Sequence, residues 1–270
     1  MPARKKQNGS CETAPKVVFY CGTKEKEVFF VKILVVNDDS IHSPGIALLA
    51  EKAMALGEVT VVAPAHQCSA MSQKLSIHAA LRVEKVPFPV PVKEAYQVDG
   101  TPVDCVKAAL QYILKEKPDY VFSGINDGYN VGFDIAYSGT LGAAFEAVMN
   151  GIPAIAFSNT INRPLDVAGL YLVPVAKELM EKGQAPGEVW NVNFPAVAPG
   201  ALKGILRDRT IAPLQFYSEN YAEQRMPDGS VLLKGQGEPL TDGRKAPAGS
   251  DIEAVMDGYI SIGRVKSAVL

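Results

Sequence analysis

The run Lys32-Ile33-Leu34-Val35-Val36 passes directly into Asn37-Asp38-Asp39-Ser40, and this junction restricts the chain more than any other stretch. Its β-branched and aliphatic residues predict a buried strand over Lys32–Val36. Two adjacent carboxylates at the end of such a strand repel each other and lose hydration, which is costly unless a cation sits between them. The plain alternative is one turn or capping acid beside one solvated acid. Ser43-Pro44-Gly45 then reads as a helix start, with Ser43 as cap and Pro44 at the first position. That helix is expected to reach about Leu56 and to be ended by Gly57. Ligands of open α/β sheets bind at the carboxyl ends of strands. The chain is therefore expected to carry a divalent-metal site close to its first strand.

Strands and helices alternate from here to about Pro195. Val59–Ala63, Leu81–Val86, Tyr96–Val98, Tyr120–Ser123, Ala154–Ser158 and Val189–Asn193 read as strands. Thr101-Pro102 opens a helix with Val103, Val106, Leu110 and Leu114 on one face. Thr140–Asn150, closed by Gly151, and Val167–Lys182 read as helices. This rhythm predicts an α/β fold, a Rossmann-like and largely parallel sheet with helices on both faces. Residues 205–250, rich in Gly, Pro and charge, read as extended hairpins or arms, open to exchange with another subunit. Asp251–Asp257 reads as a short helix and Tyr259–Ile262 as a last strand. The domain is expected to span 32–270, with the α/β core at 32–200 and irregular arms at 201–270.

Residues 1–31 read as an extension foreign to that domain, disordered or non-native, and Val31 before the first strand suggests a start of translation there. These 31 residues carry six Lys and Arg against three Asp and Glu; the remainder carries 21 against 26. An acidic body argues against long nucleic acid held on a broad basic surface. The apolar run Val17–Cys21 is too short for a signal peptide or membrane span. Cys11, Cys21, Cys68 and Cys105 form no Cys-x-x-Cys pair, which fits a reducing, cytoplasmic setting.

Two further loops bear on the acids. Ala63-Pro64-Ala65-His66-Gln67-Cys68-Ser69-Ala70 follows the second strand, and Ser123-Gly124-Ile125-Asn126-Asp127-Gly128-Tyr129-Asn130 follows a later one. Neighbouring parallel strands would bring both to one sheet edge, where Ser69 and Asn126 could complete an all-oxygen site for Mg²⁺, Mn²⁺ or Ca²⁺. Tyr137-Ser138-Gly139-Thr140 opens an apolar helix whose free N–H groups and dipole favour an anion, against the plain reading of an N-cap by Ser138 or Thr140. His42 and His66 read as solvated loop residues and His78 as structural. Cys68 has no evident cation to activate it and reads as loop packing.

Taken in order, the Asn-Asp-Asp turn, the Ala-Pro…Ser loop, the Ser-Gly-Ile-Asn loop and the Tyr-Ser-Gly-Thr helix start resemble the SurE (survival protein E) family of 5′/3′-nucleotidases, from about Lys32 to Ile262. Gly100–Val106 and Gly258–Ile262 add to the likeness. The resemblance implies a metal-dependent phosphomonoesterase acting on nucleoside monophosphates, with polyphosphate a substrate of some members. It implies one divalent cation per subunit, Mg or Mn, held by Asp38, Asp39, Ser69 and Asn126. It implies a phosphate side formed by Asn130, Ser138, Gly139 and Thr140. A homodimer or homotetramer with exchanged C-terminal arms is implied as well. Asp38 or Asp39 would accept the proton of an attacking water. Ser40 stands where the family usually has Gly, Ala65–Cys68 where charged residues are usual, and Asp127 where Arg or a similar group is usual. These departures keep a rival reading in view, a non-catalytic nucleotide-sensing module on the same scaffold. A dehydrogenase is not supported, since no Gly-x-Gly-x-x-Gly follows the first strand.

Overall fold

The computed structural model describes residues 31–161, 163–217, 220–236 and 246–267. The chain divides into two units, Met1–Phe30 and Val31–Leu270, and the expectations for residues 1–30 lie outside the described residues. Within the second unit the order is β1 (Lys32–Val36), α1 (Pro44–Ala53), β2 (Glu58–Pro64), β3 (Val83–Lys85), β4 (Glu94–Val98), α2 (Pro102–Ala108), β5 (Tyr120–Asp127), α3 (Gly139–Met149) and β6 (Ala154–Asn159). It continues with α4 (Asp166–Lys182), β7 (Glu188–Asn193), β8 (Gly204–Arg209), β9 (Asn220–Arg225), β10 (Val231–Gln236), α5 (Asp251–Met256) and β11 (Tyr259–Lys266).

One sheet runs in the order β3-β4-β2-β1-β5-β6-β7-β11-β8. Strands β4, β2, β1, β5, β6 and β7 are mutually parallel. Only the margins reverse, at β3 and β11, with β8 following β11. β1 has β2 on one side and β5 on the other, so the strand order turns at β1, the position where a crevice opens in such sheets. Within β1 the side chains alternate between two cores. Ile33 and Val35 join α1 and α4 on one face, while Leu34 and Val36 join α2 and α3 on the other. Each large aliphatic side chain buried this way contributes roughly 1.5–3 kcal/mol. Covering both faces is what requires β1 to be apolar throughout its length.

Three local readings need correction. α1 ends at Ala53 rather than near Leu56. Gly57 is not its cap; a Cβ there would lie 2.1 Å from the Val31 carbonyl oxygen, so glycine serves a close approach to the start of β1. The expected single face Val103–Leu114 breaks because α2 passes into a π-helical turn at Ala109–Ile113, leaving Leu110 and Leu114 half-buried while Val103 and Val106 are enclosed. β5 continues past Ser123 to Asp127 through a register shift between Ser123 and Asn126, so Asn126 is held within a strand end rather than in a loop. The region after Pro195 does yield a separate antiparallel hairpin, β9–β10.

Candidate active site

The turn after β1 is built around Asn37. Its side-chain Nδ2 donates to the Ser40 carbonyl (2.8 Å) and the Ser43 Oγ (2.9 Å), while Ser43 caps α1 by accepting from the Ile46 N–H. This turn leaves Asp38 buried and Asp39 half-buried at the strand end. Three hydrogen bonds then draw the neighbouring segments onto them. The Cys68 N–H donates to the Asp38 carbonyl (2.7 Å), placing Ser69 beside the acids. The Asp127 N–H donates to Asp39 Oδ2 (2.8 Å), placing Asn126 there. The Thr140 hydroxyl donates to Asp38 Oδ1 (2.6 Å), docking the start of α3.

A cavity of about 380 Å³ lies at this junction, walled by Asp38, Ser69, Asn126, Asn130 and Ser138 together with Tyr129, Tyr137 and Tyr217. A second, of about 620 Å³, shares the Asn126–Asp127 wall and is lined by Asp39, His42, Gln67 and Arg163. Six predicted residues thus line one or other of two adjoining cavities, and the remaining two, Gly139 and Thr140, stand directly behind Asp38. Thr140 is turned away from the cavity. It is fully buried, and both its hydroxyl and its backbone N–H serve Asp38, so it positions that carboxylate. Gly139 serves close approach, since a Cβ there would lie 2.9 Å from Asp38 Oδ2. Ser138 caps α3 by accepting from the Leu141 N–H, and its own proton remains for a second partner.

Both carboxylates of the pair are disfavoured in their charged form. Asp38 is only 3% exposed. Burial, reinforced by the Asp39 charge, pushes its carboxyl up to about 7. Asp39 is also raised, again by burial first, with the Asp127 charge adding to it against the Asp127 N–H. A cation at this point would offset both effects. Among the described residues no three His, Cys, Asp or Glu side chains are grouped to hold a metal. The donor set here is instead two carboxylates, a hydroxyl and an amide, which suits a hard cation rather than zinc. The Cys68 thiol is raised by burial and the nearby Asp38 charge, which agrees with packing rather than nucleophilic use. His42, His66 and His78 are all exposed; for His78 this replaces the expected structural role.

A buried polar layer beneath the cavity escaped sequence reasoning. Asn193 binds Asn130 at two points, accepting from its N–H (2.9 Å) and donating to its carbonyl (3.1 Å). Asn191 donates to the same carbonyl (2.8 Å), and Asn130 Nδ2 donates to Ser158 Oγ (2.7 Å). The available signal was Asn191 and Asn193 two apart in an otherwise apolar strand, which places two amides on one buried face.

The family model described as survival protein SurE matches residues 33–213. The chain belongs to the SurE family. A 5′-nucleotidase SurE of Geobacter sulfurreducens is 42% identical, covering 86% of each chain. Another, of a Thermoanaerobacter species, is 39% identical over 86% of this chain and 90% of its own. The crystal structure of the SurE protein from Aquifex aeolicus superposes with a TM-score of 0.73 at 36% identity, covering 87% of this chain and 93% of that one. Among the described residues no helix is long and apolar enough to cross a membrane. Against the SurE pattern, the departure at Ser40 bears on the backbone. Its φ is +84°, a left-handed conformation that disfavours a Cβ. Ser40→Gly is therefore expected to stabilise the fold by about 1 kcal/mol, read as a higher urea midpoint; a lower midpoint would count against strain at this turn.

Proposed function

We propose that this chain is a metal-dependent phosphomonoesterase that converts nucleoside 5′-monophosphates, and 3′-monophosphates as a secondary substrate, to nucleoside and inorganic phosphate. The observation that carries the reading is the convergence of Asp38, Ser69, Asn126, Asn130 and Ser138 on one cavity, with Asp39 against its shared wall. The 5′-nucleotidase activity named for the Geobacter and Thermoanaerobacter relatives supports it. Asp38, Asp39, Ser69 and Asn126 would hold one divalent cation, Mg²⁺ or Mn²⁺. When bound, the cation would polarise the phosphoryl group and acidify a water.

The rest falls to the chain itself. Asp38, fixed by Thr140, is held in place on the cavity wall. Asp39 is the more exposed acid and has room to accept the proton of the attacking water. The Ser138 hydroxyl and the Asn130 side chain, both on the cavity wall, would face charge that develops on the phosphoryl oxygens. The arm β9–β10 exposes Tyr221, Val231, Leu232 and Leu233, which supports a homodimer or homotetramer with exchanged arms. The free thiols of Cys68 and Cys105 support a cytoplasmic setting. The domain that carries this activity would begin with β1 at Lys32.

Phosphate release from AMP or GMP with Mg²⁺ or Mn²⁺ tests the reading. Release is expected, with EDTA abolishing it and added Mn²⁺ restoring it. Nucleotide binding without phosphate release would instead assign the sensing role.

A further inference from the structure

Three tyrosines share the cavity with the proposed phosphate site: Tyr129, Tyr137 and Tyr217. Two of them have structural duties. Tyr129 is buried and packs edge-on against Phe216, with ring centroids 5.5 Å apart. The Tyr217 hydroxyl accepts from the Tyr129 N–H (2.8 Å), and its ring packs edge-on against Phe216 at 5.0 Å. Tyr137 differs. It is 52% exposed, and its ring and hydroxyl have no hydrogen-bonding or ring-stacking partner among the described residues. Its backbone is nonetheless fixed. It ends the 3₁₀ turn Gly132–Tyr137, its carbonyl accepts from the Ser72 N–H (2.9 Å), and Ser138 directly after it caps α3. A rigid backbone therefore holds a large aromatic ring at the rim of the cavity, one residue from the phosphate-side hydroxyl.

We propose that Tyr137 is a specificity-determining residue whose ring stacks on the nucleobase of the substrate, so that the site prefers nucleoside phosphates over phosphate esters lacking a base. This rests on the phosphomonoesterase reading above and assigns the part of the cavity beyond the phosphate. An aromatic ring offers its face to any base, and such stacking is worth roughly a factor of 10 to 100 in binding per base. It takes no part in the bond-breaking step, so removing it weakens base-bearing substrates through KM and leaves turnover nearly unchanged. Adenine and guanine, with the larger ring faces, gain most from a stacking platform of this kind.

AMP and ribose 5-phosphate separate the base from the ester. The full chain with Mn²⁺ is assayed for phosphate release from both, as wild type, Tyr137→Ala and Tyr137→Phe. Tyr137→Ala is expected to lose about 10- to 100-fold in kcat/KM for AMP through KM, with ribose 5-phosphate changed by less than about twofold. Tyr137→Phe is expected to keep most of the AMP activity. Equal losses on both substrates, or an unchanged AMP-to-ribose 5-phosphate ratio in Tyr137→Ala, would overturn the assignment. Should wild type release phosphate from neither ester, the hydrolytic reading falls, and calorimetric titration with adenosine decides the base subsite by itself. Weaker adenosine binding by Tyr137→Ala supports it, and equal binding by the two proteins overturns it.

Discussion

Asp38→Asn is expected to lower metal-dependent kcat/KM by at least about 10³-fold, roughly 4 kcal/mol of barrier, while the metal-free fold is no less stable at pH 8. The two effects have opposite sign because they arise from the same buried charge. In the absence of a cation, burial and Asp39 push the Asp38 carboxyl from 3.8 to about 7. The folded state therefore holds this proton more tightly than the unfolded chain does. The sign follows: stability from this group is fully present below pH 4 and is lost as pH rises towards and through 7. At pH 8 the charged carboxylate costs the metal-free fold on the order of 4 kcal/mol. The amide recovers only part of this, since it offers one oxygen to the Thr140 hydroxyl and N–H where the carboxylate offers two. Urea unfolding in EDTA at pH 5 and pH 8 checks it. The stability difference, variant minus wild type, should rise with pH by about 1–3 kcal/mol. Near-normal turnover in Asp38→Asn would remove Asp38 from the site, and a difference that falls with pH would contradict the burial of its charge.

Asp251→Ala is expected to cost about 3–5 kcal/mol of stability. Asp251 is nearly enclosed, 4% exposed, at the start of α5. Its Oδ1 accepts from the Ala212 N–H (2.9 Å) and the Ile252 N–H (2.8 Å), and its Oδ2 from the Gly132 N–H (2.9 Å). Burial raises this carboxyl, and the three N–H groups counter the rise without cancelling it. Truncation leaves those donors unpaired in a site sealed by Val131, Ala212, Phe216, Ile252 and Val255. Asp251→Asn turns one oxygen into an N–H₂ group facing a donor and should cost about 2 kcal/mol. The segment at stake carries Tyr217, which closes one wall of the cavity, and Asp134 tethers it a second time through the Phe216 and Tyr217 N–H groups. A urea midpoint within error of wild type for Asp251→Ala would show that this tether is dispensable.

Much of the architecture was legible because its signals are local. The apolar run at Lys32–Val36, the Ser43-Pro44 start and the Thr101-Pro102 start each depend on a few adjacent residues; β1 covers the run, and the two helices begin where their caps place them. Boundaries failed where a distant backbone decided them. Gly57 reads as a helix stop, yet its close neighbour is the Val31 carbonyl. Ser123 reads as a strand end, yet the bulge lets pairing resume at Asn126 against Ser158. The candidate site divides in the same manner. Oxygen-bearing side chains at strand ends announce themselves, whereas Thr140, expected on the phosphate side, is claimed by Asp38. Asn193 looked like an ordinary strand residue until its two bonds to Asn130 were in view.

By itself the sequence determined the alternating α/β scaffold, the donors it offers a cation and the family to which it belongs, because periodicity, caps and ordered motifs are properties of neighbouring residues. Only the tertiary structure decided which donors face a cavity, which are spent on one another, and which tyrosine is left with an open face. Those outcomes depend on pairings between segments far apart in the chain, 102 positions for Asp38 and Thr140 and 119 for Gly132 and Asp251. The cost of leaving a buried polar group unpaired is what forces each such choice.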